Sequence, residues 1–423
     1  MYDVLNVYLE NGLRVIMHKI PYVRTASCGI WVKQGSKHEN DDNNGLSHLL
    51  EHLMINPDND LNPHLQELIR DISSEGVVYN AGTTKESTSF YMYGLAKSIP
   101  LCIETLASIV TENKTFNINL LENEKKIVAQ EAIGFFSSFN QIKERTSQAL
   151  WGNMDVGRVI VGNIDNVNNA KLEDVENIIK QAYTPENSTL IILGGIDYDK
   201  TLDLVEKNFS QWKDENTRPY KEIVNSESGI YFNSTNNGEN SVVSIGFRIP
   251  GYIHRDRLNI EVISQILGAG GLDSRLVQEI RMKRGLAYNL GSFVSTYENK
   301  GTLGFTTVCS HNSVKEVVKI MIEEFEKSKN QGFTDNEVNK AIKVLETKTL
   351  FDIDNLTAHL KFLGRCSTYG QLFSLEQEVR NIQKIKKESI QRSALDIFTE
   401  ENMGLAAIGN FNIDETIELL KLA

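Results

Sequence analysis

The sequence predicts an α+β protein built from two domains of like fold, each a mixed or antiparallel sheet packed with helices. Three observations carry this expectation. At 423 residues the chain is longer than one ordinary hydrophobic core supports. It also repeats itself. Tyr183-Thr184-Pro185-Glu186-Asn187, with Leu190, Leu193 and Gly194 behind it, is echoed by Phe398-Thr399-Glu400-Glu401-Asn402, with Leu405, Ile408 and Gly409 behind it. A period of about 215 residues, close to half the chain, implies two copies of one fold. Finally, strands and helices come in blocks rather than in strict alternation, which favours α+β over a doubly wound sheet.

The elements follow in order. Met1 to His18 reads as a strand, an Asn11-Gly12 turn and a second strand, with no basic segment leading into an apolar one. Thr25 to Val32 is a strand, and the apolar run Gly45 to Ile55 a helix. Leu65, Leu68, Ile69 and Ile72 mark an amphipathic helix with Pro63 near its start and Gly76 at its end. Val77 to Gly82 and Ser87 to Tyr93 are strands joined by a polar turn. Ile103, Leu106, Ile109 and Val110 give another helix, and Leu121 to Phe136 a third. The expected division is residues 1–212 as the first domain, a polar linker at 213–228 containing Pro219, and residues 229–423 as the second. There, strands near Gly229 to Phe232 and Ser241 to Phe247 lead to an apolar helix around Ile260 to Leu267. A Gly268-Ala269-Gly270-Gly271 break, a helix through Arg281, strands at Ala287 to Thr296 and Gly301 to Val308, and further helices follow.

Composition narrows the function. Hydrophobic content of 40% with 24% charged residues is that of an ordinary globular protein. A net charge of -12 argues against nucleic acid or an acidic membrane surface as partner and permits neutral or basic peptides. No apolar run is long enough to predict a membrane span. Cys28, Cys102, Cys309 and Cys366 are scattered without a C-x-x-C and read as reduced thiols, so the expected location is cytoplasmic.

His48-Leu49-Leu50-Glu51-His52 carries the chemistry. Two imidazoles four residues apart share one helix face, which suits two ligands of a tetrahedral zinc. Glu51 reaches the same site and can take a proton from a water activated there. The same spacing also arises by accident in amphipathic helices. One more protein ligand is needed, and a carboxylate is the usual complement. Glu124 and Glu131 lie two helical turns apart and share a face. One can be the ligand and the other its support, although a solvated acidic helix surface has the same pattern. Shifting the His48/His52 helix by about one repeat lands on Ile263 and Leu267, which bind no metal, so one metal per chain is expected.

With these motifs the chain resembles the pitrilysin/insulinase family of zinc peptidases, especially its two-domain branch related to mitochondrial processing peptidase. The resemblance rests on Gly45-Leu46-Ser47-His48-Leu49-Leu50-Glu51-His52, on the run Glu124 to Glu131, and on Asp273-Ser274-Arg275-Leu276 through Arg281-Met282-Lys283-Arg284-Gly285-Leu286-Ala287-Tyr288. It implies that His48, His52 and Glu131 bind zinc, that Glu51 is the general base, and that Glu124 orients the site. Arg281 and Tyr288 look like the family's substrate-binding pair, which holds the substrate carbonyl. Asn80-Ala81-Gly82-Thr83 resembles the edge strand on which the family lays its peptide substrate as an added strand. Gly82 stands where relatives usually carry an aromatic residue. Ile55-Asn56-Pro57-Asp58-Asn59-Asp60 stands where relatives commonly show a Phe-Lys-Gly-Thr type segment after the zinc helix.

The implied protein is a zinc endopeptidase cutting short unfolded peptides inside a chamber, a degrader or a processing enzyme that removes leaders or presequences. The resemblance also implies a homodimer, or a heterodimer with a related metal-free chain. The competing expectation is a non-catalytic partner subunit of a processing peptidase.

Overall fold

In the computed structural model, residues 4–112, 114–213, 229–233, 238–372 and 374–422 are described. The linker expected at 213–228 falls, but for Lys213, outside them. The chain forms two compact units, each with one sheet.

The first sheet contains β1 (Val4–Tyr8), β2 (Arg14–Lys19), β3 (Thr25–Val32), β4 (Val78–Thr83), β5 (Thr88–Leu95) and β6 (Ser188–Gly194) in the order β1-β2-β6-β3-β5-β4. The β2–β6 pair is parallel and the others antiparallel. The second sheet contains β7 (Ile230–Asn233), β8 (Asn240–Pro250), β9 (Ala287–Thr296), β10 (Lys300–Ser310) and β11 (Met403–Ile408) in the order β7-β11-β8-β10-β9. Here β7–β11 is the parallel pair. Without β1, the first sheet has the order of the second. The sequence repeat falls on equivalent strands, β6 and β11, and each runs into a glycine at positive φ, +125° at Gly194 and +152° at Gly409.

Side chains alternate between sheet faces, and both faces are covered. In β6, Leu190 and Ile192 enter the large core of the first unit, while Ile191 and Leu193 enter a smaller cluster on the other face. In β11, Leu405 and Ala407 enter the large core of the second unit, and Ala406 and Ile408 a smaller cluster. Strands buried on both faces read as continuous apolar runs, which is why they were legible without a clean alternation.

The helices of the first unit include α1 (Leu46–Ile55), α2 (Pro63–Ser74), α3 (Ile99–Ala107) and α4 (Ile118–Phe136), of which α1 and α4 carry the site. The units are not contiguous halves: 135–158 belongs to the second and 351–375 to the first. Each minor face is covered by a helix from the other half of the sequence. The helix Leu356–Ser367 lies on β3 and β6, and α5 (Ile142–Trp151) lies on β8 and β11. Both approaches use glycine. A Cβ at Gly364 would lie 2.0 Å from the Trp31 ring, and one at Gly246 would lie 2.4 Å from Thr146 Cγ2. A cut drawn along the sequence misses this exchange because local periodicity identifies a helix but not the sheet it covers.

Three stretches expected as plain helices are irregular. The helix of Ile103 and Leu106 gives way to a π turn, Ser108–Glu112, that holds Ile109 and Val110. The apolar segment of the second unit runs as helix Arg257–Ser264 and then a π turn Gln265–Ala269, and Arg281 sits in another π turn, Val277–Met282. All four cysteines are buried thiols. Among the described residues, no helix is long and apolar enough to cross a membrane.

Candidate metal centre

The site begins at the start of α1. Gly45 precedes the helix at φ +107°, a conformation that glycine tolerates best. Buried Glu39 caps the helix, accepting from Gly45 N (2.9 Å), Ser47 N (2.7 Å) and Asn44 Nδ2 (2.8 Å). A carboxylate at a helix N-terminus satisfies free N–H groups and complements the helix dipole. This fixes the rotation of α1, whose Leu46, Leu49, Leu50 and Leu53 enter the core. The opposite side of the helix carries His48 and His52.

The imidazoles of His48 and His52 are 4.8 Å apart between centroids and nearly perpendicular, at 87°. Glu131 reaches them from α4, its Oε2 lying 3.5 Å from His48 Nε2 and 3.5 Å from His52 Nε2. One donor atom from each of the three residues lies within 4.8 Å of the others. Ligand atoms about 2.0–2.1 Å from a tetrahedral zinc stand about 3.4 Å apart, so the two histidine–carboxylate separations have the size of a tetrahedral edge. Two neutral imidazoles and a carboxylate are also a known catalytic zinc donor set. The residues fit the metal.

Protonation supports the fit. Burial, helped by the nearby His52, lowers the pKa of His48 to about 4, so at neutral pH its ring is an uncharged donor. Burial also works against a charge on His52. The hydrogen bond to Glu124 and the charges of Glu131 and Glu51 outweigh it and raise the pKa. Those carboxylates stabilise positive charge where a cation would sit. His52 Nδ1 donates to Glu124 Oε2 (3.0 Å), which leaves the Nε2 lone pair facing Glu131. Glu124, a buried residue of α4, accepts a second bond through Oε1 from Asn56 Nδ2 (2.6 Å).

Glu51 is buried beside the histidines and accepts from Thr83 Oγ1 through Oε2 (2.6 Å). Burial raises its pKa, opposed by the Thr83 hydrogen bond and by His52. Thr83 ends β4, which among the described residues pairs with β5 alone and stands at the edge of the sheet. Of the residues expected on this edge, Asn80 accepts from Ala81 N (2.8 Å), and Gly82 O accepts from Ser89 Oγ (3.2 Å). A Cβ at Gly82 would meet nothing nearer than Ser89 Oγ at 4.0 Å, so that face of the strand is open.

In the second unit, the guanidinium carbon of Arg281 stands 4.3 Å from the centroid of the Tyr288 ring. Tyr288 lies near the start of β9, an edge strand, and is 79% exposed. The position equivalent to the His48/His52 helix is apolar and buried at Ile263 and Leu267. Among the described residues, His48, His52 and Glu131 form the metal-competent group.

Sequence reasoning missed two roles. Thr83 was expected to offer main chain to a substrate, and its hydroxyl holds Glu51. Asn56, in the divergent loop after the zinc helix, holds Glu124. Asn56-Pro57 signals a helix end, but no local signal names a partner on another helix.

A family profile described as Insulinase (Peptidase family M16) matches residues 14–163, and one described as Peptidase M16 inactive domain matches residues 169–345. The chain is similar to an uncharacterized zinc protease of Mycobacterium tuberculosis, 28% identical over 408 residues, covering 95% of this chain and 92% of the relative. It is also similar to the mitochondrial-processing peptidase subunit beta of Lentinula edodes, 24% identical over 423 residues, covering 96% and 89%. A crystal structure of a protease from Helicobacter pylori shares the fold with a TM-score of 0.86, covering 97% of this chain and all of that one at 18% identity.

Proposed function

This chain belongs to the pitrilysin/insulinase (M16) family of zinc metallopeptidases, and from that premise we propose that it is an endopeptidase that hydrolyses short unfolded peptides with one zinc per chain. The observation that carries the reading is the convergence of His48, His52 and Glu131 beside a buried Glu51. His48, His52 and Glu131 hold the metal. When bound, it polarises the scissile carbonyl and makes water a stronger acid.

The chain's own groups do the rest. Glu124 fixes the ring of His52. Glu51 takes a proton from the attacking water and passes it to the leaving amine, and burial helps by raising its affinity for that proton. The outer edge of β4, at Asn80 to Thr83, binds the substrate main chain as an added strand, a mode that suits unfolded segments of varied sequence. Arg281 and Tyr288 hold the substrate carbonyl and its developing negative charge, a contribution worth about 3 kcal/mol when one donor is removed.

A chain carrying both sets of residues is suited to a homodimer with composite sites in a closed chamber. Pairing with a related metal-free chain is the other arrangement. Similarity to a processing peptidase subunit supports leader or presequence removal as the task. Four buried cysteine thiols support a reducing, cytoplasmic location. A non-catalytic role would leave Glu51 and the complete donor set without a purpose.

The test is mass spectrometry of unstructured peptides incubated with wild type and with Glu51→Gln, with and without chelator. Cleavage by zinc-loaded wild type alone supports the reading. Cleavage that survives both the substitution and the chelator overturns it.

A further inference from the structure

We infer that Asn56 is a positioning residue of the metal centre, acting through Glu124 on His52. The inference rests on the metal reading above and names a residue outside the donor set. Asn56 follows α1 directly, so the helix that carries His48 and His52 delivers it to the site. Its amide is held at both ends. Oδ1 accepts from Asp58 N (2.8 Å), closing a turn around Pro57, and Nδ2 donates to Glu124 Oε1 (2.6 Å). The two bonds together set which end of the amide faces the carboxylate.

Glu124 therefore has each oxygen engaged, Oε1 by Asn56 and Oε2 by His52 Nδ1. A buried carboxylate left with one oxygen unmatched turns to recover a partner, because an unsatisfied buried acceptor costs more than a hydrogen bond gains. Turning would take Oε2 away from His52, releasing the ring orientation that aims Nε2 at Glu131. Groups that orient a ligand in this way commonly change metal affinity by 10- to 100-fold when removed. The bond spans from the end of α1 to the middle of α4, so it also ties together the two helices that share the donors.

The test uses full-length protein and zinc alone, with affinity measured by competition against a chelator. Asn56→Asp keeps the size of the side chain and the oxygen that closes the turn, but replaces the donor to Glu124 with an acceptor. Asn56→Ala removes both. We expect both variants to bind zinc at least tenfold more weakly than wild type, and Asn56→Asp also to lower the melting temperature of the metal-free protein, because it sets a second carboxylate against buried Glu124. In a Glu124→Ala background, the Asn56 substitutions should add little further loss. Wild-type affinity in Asn56→Asp would overturn the inference, and so would an undiminished penalty in the Glu124→Ala background. Failure of the wild type itself to bind zinc would overturn the metal reading, and this inference with it.

Discussion

Replacing His359 with leucine should remove a specific part of the acid sensitivity of the first unit. His359 lies on the helix Leu356–Ser367 and is 1% exposed, and among the described residues neither ring nitrogen has a hydrogen-bond partner. The His18 ring stands edge-on to it, 5.3 Å between centroids. Burial first, and His18 second, lower its pKa from 6.5 to about 4. The sign follows from linkage. Between pH 6.5 and 4 the unfolded chain takes up a proton that the native ring refuses, so stability is full above about pH 6.5 and declines as pH falls toward 4. A depression of this size corresponds to about 3 kcal/mol. Leucine has similar bulk and takes up no proton. It also removes two buried polar atoms without partners, so the variant should already be more stable at pH 7, by about 1–3 kcal/mol. The assay is urea unfolding of metal-free wild type and His359→Leu across pH 4 to 7, followed by tryptophan fluorescence. Trp31 belongs to the same cluster as Leu360 and Leu363. His48 and His38 also have lowered pKa values, about 4 and about 3, and cancel in the difference. The stability gap should widen by about 3 kcal/mol toward pH 4. Parallel curves would refute the assignment.

Three further outcomes test the site. Glu51→Gln should retain zinc yet lose hydrolysis, and turnover equal to wild type would remove Glu51 as the base. Thr83→Val deletes a hydrogen bond to a carboxylate, so kcat should fall about 10- to 100-fold with KM little changed, whereas Thr83→Ser should recover most of the loss. A rise in KM alone would mean that Thr83 acts on substrate rather than on Glu51. Arg281→Ala and Glu51→Gln chains, each inactive alone, should regain partial activity when mixed if sites are shared between copies. No recovery, with mixed dimers demonstrated, would exclude sharing.

The sequence by itself determined the α+β class, the two like folds and the residues with metal-binding chemistry. These are local properties: strands buried on both faces leave apolar runs at β3, β6 and β11, and helical periodicity puts His48 and His52 on one face and Glu124 and Glu131 on another. Spacing alone left Glu124 and Glu131 interchangeable, because two carboxylates two turns apart on one helix are indistinguishable until the helix is placed. The resemblance implied Glu131 as the ligand, and the tertiary structure turns Glu131 toward both imidazoles and buries Glu124 against His52 Nδ1. It also decided that helices 142–151 and 356–367 each cover the sheet of the other half, and that Thr83 and Asn56 hold Glu51 and Glu124. Their hydrogen bonds join residues 32 and 68 positions apart. No pattern in the chain records such a partner, since a side chain's polarity fixes what it can bond to but the packing of whole elements fixes what it meets.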